Sequence, residues 1–130
     1  MNILLVEDED AIAEIVQAIL HRPGHKVTVL ADGDEALRLY RHRECRYDLV
    51  LTDRWHTGID GIELAAAIRK LNPEQAIAFF TSPGDYVVEQ KFAAYGVSDL
   101  PRLLKSSTPE QLLQFVESVA QKRTTQLPNP

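Results

Sequence analysis

Acidic and hydroxyl side chains follow several short apolar runs of this sequence, at the points where buried strands would end. Glu7 and Asp8 follow the first run, Asp53 follows the third, and Thr81 and Ser82 follow the fourth. Three carboxylates held close together repel one another and raise each other's pKa unless a cation neutralises them. Mg²⁺ is the candidate cation, because it is hard and prefers oxygen ligands. The pattern therefore predicts an acidic, metal-binding cluster.

Five apolar runs alternate with longer stretches and could supply the strands that position these residues. The runs cover residues 2–6, 26–30, 48–52, 76–80 and, less distinctly, part of 98–104. Apolar residues recur at three- and four-residue spacing in several of the intervening stretches, which is typical of amphipathic helices. The alternation predicts βαβ units, and hence a parallel sheet with helices on both faces and right-handed crossovers. Ligands of such sheets bind at the carboxyl ends of the strands.

Capping residues mark the starts of three helices. Asp32 and Asp60 each precede a glutamate by three residues, and the segment Thr108-Pro109-Glu110-Gln111 combines a capping box with proline in the first turn. Gly24 is expected to end the first helix. These signals predict where the helices of the fold begin and where the first one stops.

The composition is that of one soluble globular domain. The chain has 130 residues, 45% of them hydrophobic and 25% charged, and its net charge of −5 disfavours direct nucleic-acid binding. The lone cysteine, Cys45, cannot form an internal disulfide, and no apolar run reaches the roughly 18 residues that a membrane span needs. We expect a cytoplasmic domain over residues 1–122, followed by a flexible tail or the start of a linker over 123–130.

The motifs at the strand ends resemble those of the receiver domains of two-component response regulators, over nearly the whole chain. "LLVEDED" matches the acidic pair that holds the metal, Glu7 and Asp8, and "LVLTD" puts Asp53 at the phospho-acceptor position. "FFTS" puts Thr81 at the switch hydroxyl, and Lys105 in "LLKSSTPEQL" matches the lysine that contacts the phosphoryl group. The resemblance thus assigns a role to each of these five side chains.

The same resemblance carries expectations about fold and function. It implies an α/β, flavodoxin-like, doubly wound parallel sheet of order 2-1-3-4-5. It also implies that Asp53, with Mg²⁺ held by Glu7, Asp8 and Asp53, takes a phosphoryl group from a sensor histidine kinase or a histidine phosphotransfer protein. The output would be contact with a downstream protein or effector domain. No enzyme activity is expected beyond self-phosphorylation and autodephosphorylation.

The chain departs from the family pattern mainly around the fifth strand. His56-Thr57 replaces the usual Met-Pro, Ser106 replaces the proline after Lys105, and two extra residues precede Lys105. Arg102 stands where the family has an aromatic residue, and burying a guanidinium without a partner is costly. We therefore expect phosphorylation to change the surface of helix 4, strand 5 and helix 5 weakly, or through the lengthened loop before Lys105.

Two other functions fit part of the pattern. A phosphatase of the haloacid dehalogenase type also uses an aspartate at a strand end, but it needs a second aspartate two residues later, where this chain has Trp55. A degenerate receiver that binds proteins without phosphorylation is the stronger alternative, because of the changes around strand 5.

The indole of Trp55 would exclude water and slow dephosphorylation. His56 lacks a second histidine at ligand spacing, so it is not expected to bind metal.

Overall fold

A computed structural model describes residues 1–42, 46–53, 58–82 and 88–126 of the chain. The described residues form a five-stranded parallel sheet of order β2-β1-β3-β4-β5, which confirms the predicted topology. The strands are β1 (Asn2–Val6), β2 (Lys26–Leu30), β3 (Leu49–Thr52), β4 (Ile77–Thr81) and β5 (Arg102–Leu104). Strand β4 ends one residue later than predicted, so Thr81 is its last residue.

Helices cover both faces of the sheet and divide the core in two. They are α1 (Asp10–His21), α2 (Gly33–His42), α3 (Gly61–Leu71), α4 (Val88–Ala94) and α5 (Pro109–Gln126). Because side chains alternate along a strand, Leu4 and Val6 pack with α2, α3 and α4, whereas Ile3 and Leu5 pack with α1 and α5. Both faces of the central strands are thus buried, which explains their continuous apolar sequences.

The predicted caps form at α2, α3 and α5. Asp32 Oδ1 accepts hydrogen bonds from two backbone N–H groups in the first turn of α2, and Asp60 Oδ1 accepts one from Glu63 at 2.9 Å. In α5 the capping box is reciprocal: the Thr108 N–H donates to the Gln111 side chain, and the Gln111 N–H donates to Thr108 Oγ1. Local sequence thus determines where these helices begin.

Some helical residues differ from the sequence expectation. Ile15 and Leu71 fit the apolar periodicity of α1 and α3, yet 59% and 51% of their surfaces are exposed. Helix α5 continues to Gln126, so the tail predicted from residue 123 begins as helical backbone, and residues 127–130 lie outside the described part. Gly24 follows α1 with a φ of 95°, a left-handed conformation that glycine adopts without strain. Among the described residues, no helix combines the length and apolarity needed to cross a membrane.

The α5 cap gives a stability prediction. Thr108→Ala removes the acceptor for the Gln111 N–H, so the free energy of unfolding should fall by about 1 kcal/mol. Ser106→Ala, two residues earlier at another exposed position, is the control and should change it little. Urea unfolding followed by circular dichroism measures both. Equal stability of the two variants would show that the capping box does not stabilise α5.

Candidate functional site

The carboxyl ends of four strands bring the predicted site residues to one edge of the sheet. Glu7 and Asp8 follow β1, Asp53 follows β3, and Thr81 ends β4. Parallel pairing aligns these ends, because Val6 is the register partner of Thr52 and Thr81 that of Leu104. The N–H of Lys105 donates to the Thr81 carbonyl at 2.7 Å, which brings the lysine backbone to the same edge.

The three acidic residues form one cluster. Glu7, Asp8 and Asp53 each offer a carboxylate oxygen, and these oxygens lie within 4.8 Å of one another. Glu7 is 1% exposed and Asp53 is also buried, whereas Asp8 is exposed. The cluster therefore has two carboxylates in the protein interior and a third at the surface, where an ion could enter.

Lys105 provides the positive charge of the site. Its Nζ lies 2.7 Å from Glu7 Oε1 and 3.1 Å from Asp53 Oδ2. Burial alone would lower the pKa of Lys105, but the interactions with Glu7 and Asp53 outweigh it and raise the pKa above its ordinary value. The side chain is therefore an ammonium at neutral pH, and it bridges the ends of β1 and β3.

Glu7 occupies an unfavourable electrostatic environment for an ionised carboxylate. Burial, followed by repulsion from Asp53, raises the pKa of Glu7, although Lys105 and the N–H of Glu9 oppose this shift. That N–H donates to Glu7 Oε2 at 3.2 Å. Glu7 Oε1 is buried and accepts no hydrogen bond of good geometry from the described residues, despite its ion pair with Lys105. Lys105 pairs with two of the three carboxylates of the cluster, which leaves an excess of negative charge, so the donor set fits a hard, oxygen-seeking divalent cation.

Backbone contacts set the position of Asp53. Its N–H donates to the Val6 carbonyl at 3.0 Å, which continues the pairing of β1 with β3 beyond the strand end. Thr52 Oγ1 donates to the Asp53 carbonyl at 2.8 Å. Sequence analysis missed this role of Thr52, although a buried hydroxyl residue in the otherwise apolar run "LVLT" was a usable signal. Trp55 and His56 lie outside the described residues.

Lys91 of α4 is a second residue whose role the sequence did not indicate. Its ammonium pairs with Asp60, the buried cap of α3, and lies 3.3 Å from Glu63 Oε1. These contacts raise the pKa of Lys91, and the hydrogen bond that Lys91 donates to Asp60 is the largest cause. Because α3 starts shortly after Asp53, this cluster links α4 to the element that follows the site.

The family described as response regulator receiver domain matches residues 3–117. Sensor histidine kinase AruS of Pseudomonas aeruginosa is 40% identical over 99 residues, which cover 72% of this chain and 10% of that protein. Transcriptional regulatory protein AfsQ1 of Streptomyces coelicolor is 42% identical over 69 residues, which cover 53% of this chain and 30% of AfsQ1. The chain thus spans less than a third of either curated relative.

The same fold is found in solved structures. A CheY-like response regulator receiver domain protein from Methanospirillum hungatei JF-1 superposes with a TM-score of 0.83 and 23% sequence identity. The superposition covers 95% of this chain and 96% of that protein's chain. It supports the architecture of the sheet and helices.

The raised pKa of Glu7 gives a second stability prediction. Glu7→Gln removes a buried charge that Asp53 repels, while Lys105 keeps Asp53 as a partner. Without divalent cations, the free energy of unfolding at neutral pH should therefore rise by about 1 kcal/mol. Chemical denaturation in a chelating buffer measures it, with Glu14→Gln on the exposed face of α1 as the matched control. A loss of stability in Glu7→Gln would mean that the pair with Lys105 outweighs burial and repulsion.

Proposed function

Because this chain belongs to the receiver-domain family of two-component response regulators, we propose that Asp53 accepts a phosphoryl group from phosphohistidine. The donor is a sensor histidine kinase or a histidine phosphotransfer protein in the cytoplasm. The observation that carries the proposal is the pairing of the buried Asp53 carboxylate with Lys105 at 3.1 Å, beside two further acidic residues. Receiver domains are signalling modules rather than enzymes. The output of this one is contact with a downstream protein or effector domain.

The transfer requires one bond to form and one to break. A carboxylate oxygen of Asp53 attacks phosphorus, the phosphorus–nitrogen bond of the donor breaks, and the bonding electron pair leaves with the imidazole nitrogen. The product is an acyl phosphate on Asp53. Lys105 is within reach of Asp53 before the reaction and pairs with a phosphoryl oxygen after it. The Thr81 hydroxyl donates a hydrogen bond to another phosphoryl oxygen.

Glu7, Asp8 and Asp53 would hold Mg²⁺ in this proposal. The bound ion would neutralise negative charge on the phosphoryl oxygens during transfer. The buried Oε1 of Glu7, with its ion pair to Lys105 and no well-formed hydrogen bond among the described residues, supports this ligand set. Asp8 is the exposed member, so its carboxylate can reach an ion that keeps several of its waters.

Phosphate incorporation tests the acceptor. Wild type incubated with a small phosphodonor and Mg²⁺ should gain one acid-stable, base-labile phosphoryl group, detected by intact-mass analysis. Asp53→Asn should gain none, because an amide oxygen is a poor nucleophile, whereas Asp10→Asn at an exposed position of α1 should be labelled like wild type. Absence of label on wild type would favour a phosphorylation-independent binding module. Continuous release of phosphate would indicate a phosphatase.

Metal titration tests the acidic pair. Asp8→Ala should weaken Mg²⁺ binding by about tenfold or more, since it removes one of three carboxylates from a site that has few other ligands. Glu9→Ala removes the neighbouring exposed carboxylate, which lies outside the cluster, and should leave the affinity nearly unchanged. Isothermal titration calorimetry measures both variants against wild type. Equal affinities of Asp8→Ala and wild type would contradict the proposed ligand set.

A further inference from the structure

Helix α4 has a single deeply buried anchor among its described side chains. The helix spans seven residues, and of the side chains at positions 89–94 only Phe92 is buried, with 1% of its surface exposed. The ring of Phe92 packs edge to face against Phe79 of β4, with 4.8 Å between ring centroids. Because Phe92 is the one buried side chain at positions 89–94, polar contacts contribute much to the position of α4.

Arg102 of β5 holds the first turn of this helix. Its guanidinium carbon lies 3.7 Å from the centroid of the Phe92 ring, and both terminal nitrogens face the carboxylate of Glu89. Nη2 lies 3.2 Å from Glu89 Oε2, and Nη1 makes a second, shorter contact with Oε1. The guanidinium therefore lies over the aromatic ring of Phe92, and its two terminal nitrogens bind the carboxylate of Glu89.

The structure gives Arg102 a partner that the sequence did not indicate. The sequence argument was that burying the guanidinium without a partner is costly, and the side chain is 29% exposed and paired with Glu89. The hydrogen bond from Arg102 also lowers the pKa of Glu89, so the carboxylate is ionised at neutral pH. The absence of an aromatic residue on β5 therefore does not by itself uncouple β5 from α4.

Arg102 and Glu89 are each close along the chain to a residue of the proposed phosphorylation site, Lys105 and Thr81 respectively. Arg102 is the register partner of Phe79, and β5 leads from Arg102 directly to Lys105. On the other side, α4 follows Thr81 along the chain after residues 82–87. Lys91, bound to Asp60 and Glu63, and the buried Phe92 lie one turn or less beyond Glu89. Residues 91 and 92 can therefore act as a pivot, with Glu89 at the end that moves.

We propose that the Arg102–Glu89 pair is a latch that holds the first turn of α4 against β5 and opens when Asp53 is phosphorylated. The latch itself needs no phosphate, whereas its opening rests on the proposed function. Phosphorylation adds about 1.5 to 2 negative charges beside Thr81 and Lys105. Displacement of Lys105 toward that charge reaches Arg102 along β5. Phosphorylation can shift the position of α4 only through an interaction that differs between the two forms of the protein, and the Arg102–Glu89 pair is that interaction in this proposal.

The closed latch can be tested without phosphorylation. Arg102→Gln and Glu89→Gln each remove one charge of a partly exposed pair, so backbone amides of α4 should exchange about two- to fivefold faster with deuterium. The double variant Glu89→Arg with Arg102→Glu reverses the pair and should restore slow exchange. High salt should speed exchange in wild type and have little further effect in Arg102→Gln.

A second bidentate pair on the same side of the fold provides the control. Arg69 of α3 binds Asp99 in the segment between α4 and β5, with distances of 2.7 and 2.8 Å. Asp99→Asn weakens that pair without touching Glu89, and should leave exchange in the first turn of α4 as in wild type. The proposal is overturned if Arg102→Gln exchanges like wild type, or if Asp99→Asn has an equal effect on α4.

Opening of the latch is tested with a phosphate mimic. Beryllofluoride with Mg²⁺ should shift the amide resonances of residues 88–94 and 102–104 in wild type. In Arg102→Gln these resonances should already lie part of the way toward the shifted positions and move less on addition. Unchanged resonances at 88–94 in wild type, with shifts at the site, would overturn the coupling. No response at the site would instead contradict the proposed function, and the exchange data would still decide whether the latch exists.

Discussion

The ammonium of Lys105 is the charge on which the arrangement at the edge of the sheet depends. It lies between Glu7 and Asp53, two buried carboxylates that follow different strands and repel each other. A single cation cannot fully compensate both, and Asp8 adds a third negative group at the surface. The protein therefore keeps an excess of negative charge in a buried region, where charge is costly, and we expect it to be less stable than a variant with an uncharged edge. Such an excess is useful only if the edge binds cations or exchanges charge with a ligand.

The fold supplies the geometry for this charge arrangement. Parallel pairing of β1, β3, β4 and β5 aligns their carboxyl ends, and apolar side chains on both faces fix the register of the central strands. A shift of β3 by one residue would exchange its two buried faces and move Asp53 away from Lys105. The packing of residues far from the edge thus determines which polar groups meet there. A chain that differs from a solved structure at most positions can therefore keep the same arrangement of strands.

Local spacing in the sequence predicts the strands, three helix caps and the turn at Gly24. The acidic cluster could be predicted because parallel strands align their carboxyl ends. Strand order and the role of Lys105 needed the family resemblance, since no spacing rule connects Lys105 with residues at the other end of the chain. The contact between Arg102 and Glu89 could not be predicted, because it joins a strand of three residues to a short helix without a periodic signal. The sequence also did not predict the exposure of Ile15 and Leu71. Periodicity identifies which face of a helix is apolar, but not how much of that face the neighbouring elements cover.

The segment between α4 and β5, residues 95–101, is held in place at several points. Arg69 donates to the Gly96 carbonyl and to the Asp99 carboxylate, and the Phe79 N–H donates to the carbonyl of Pro101 at the end of the segment. Lys105 takes its position from pairing with β4, so the number of residues before β5 does not enter into it. The sheet therefore holds the lysine, whereas Val97 and Leu100, which are buried in the core, hold the segment before it. For protein engineering this segment is a poor insertion point, because added residues would displace core side chains.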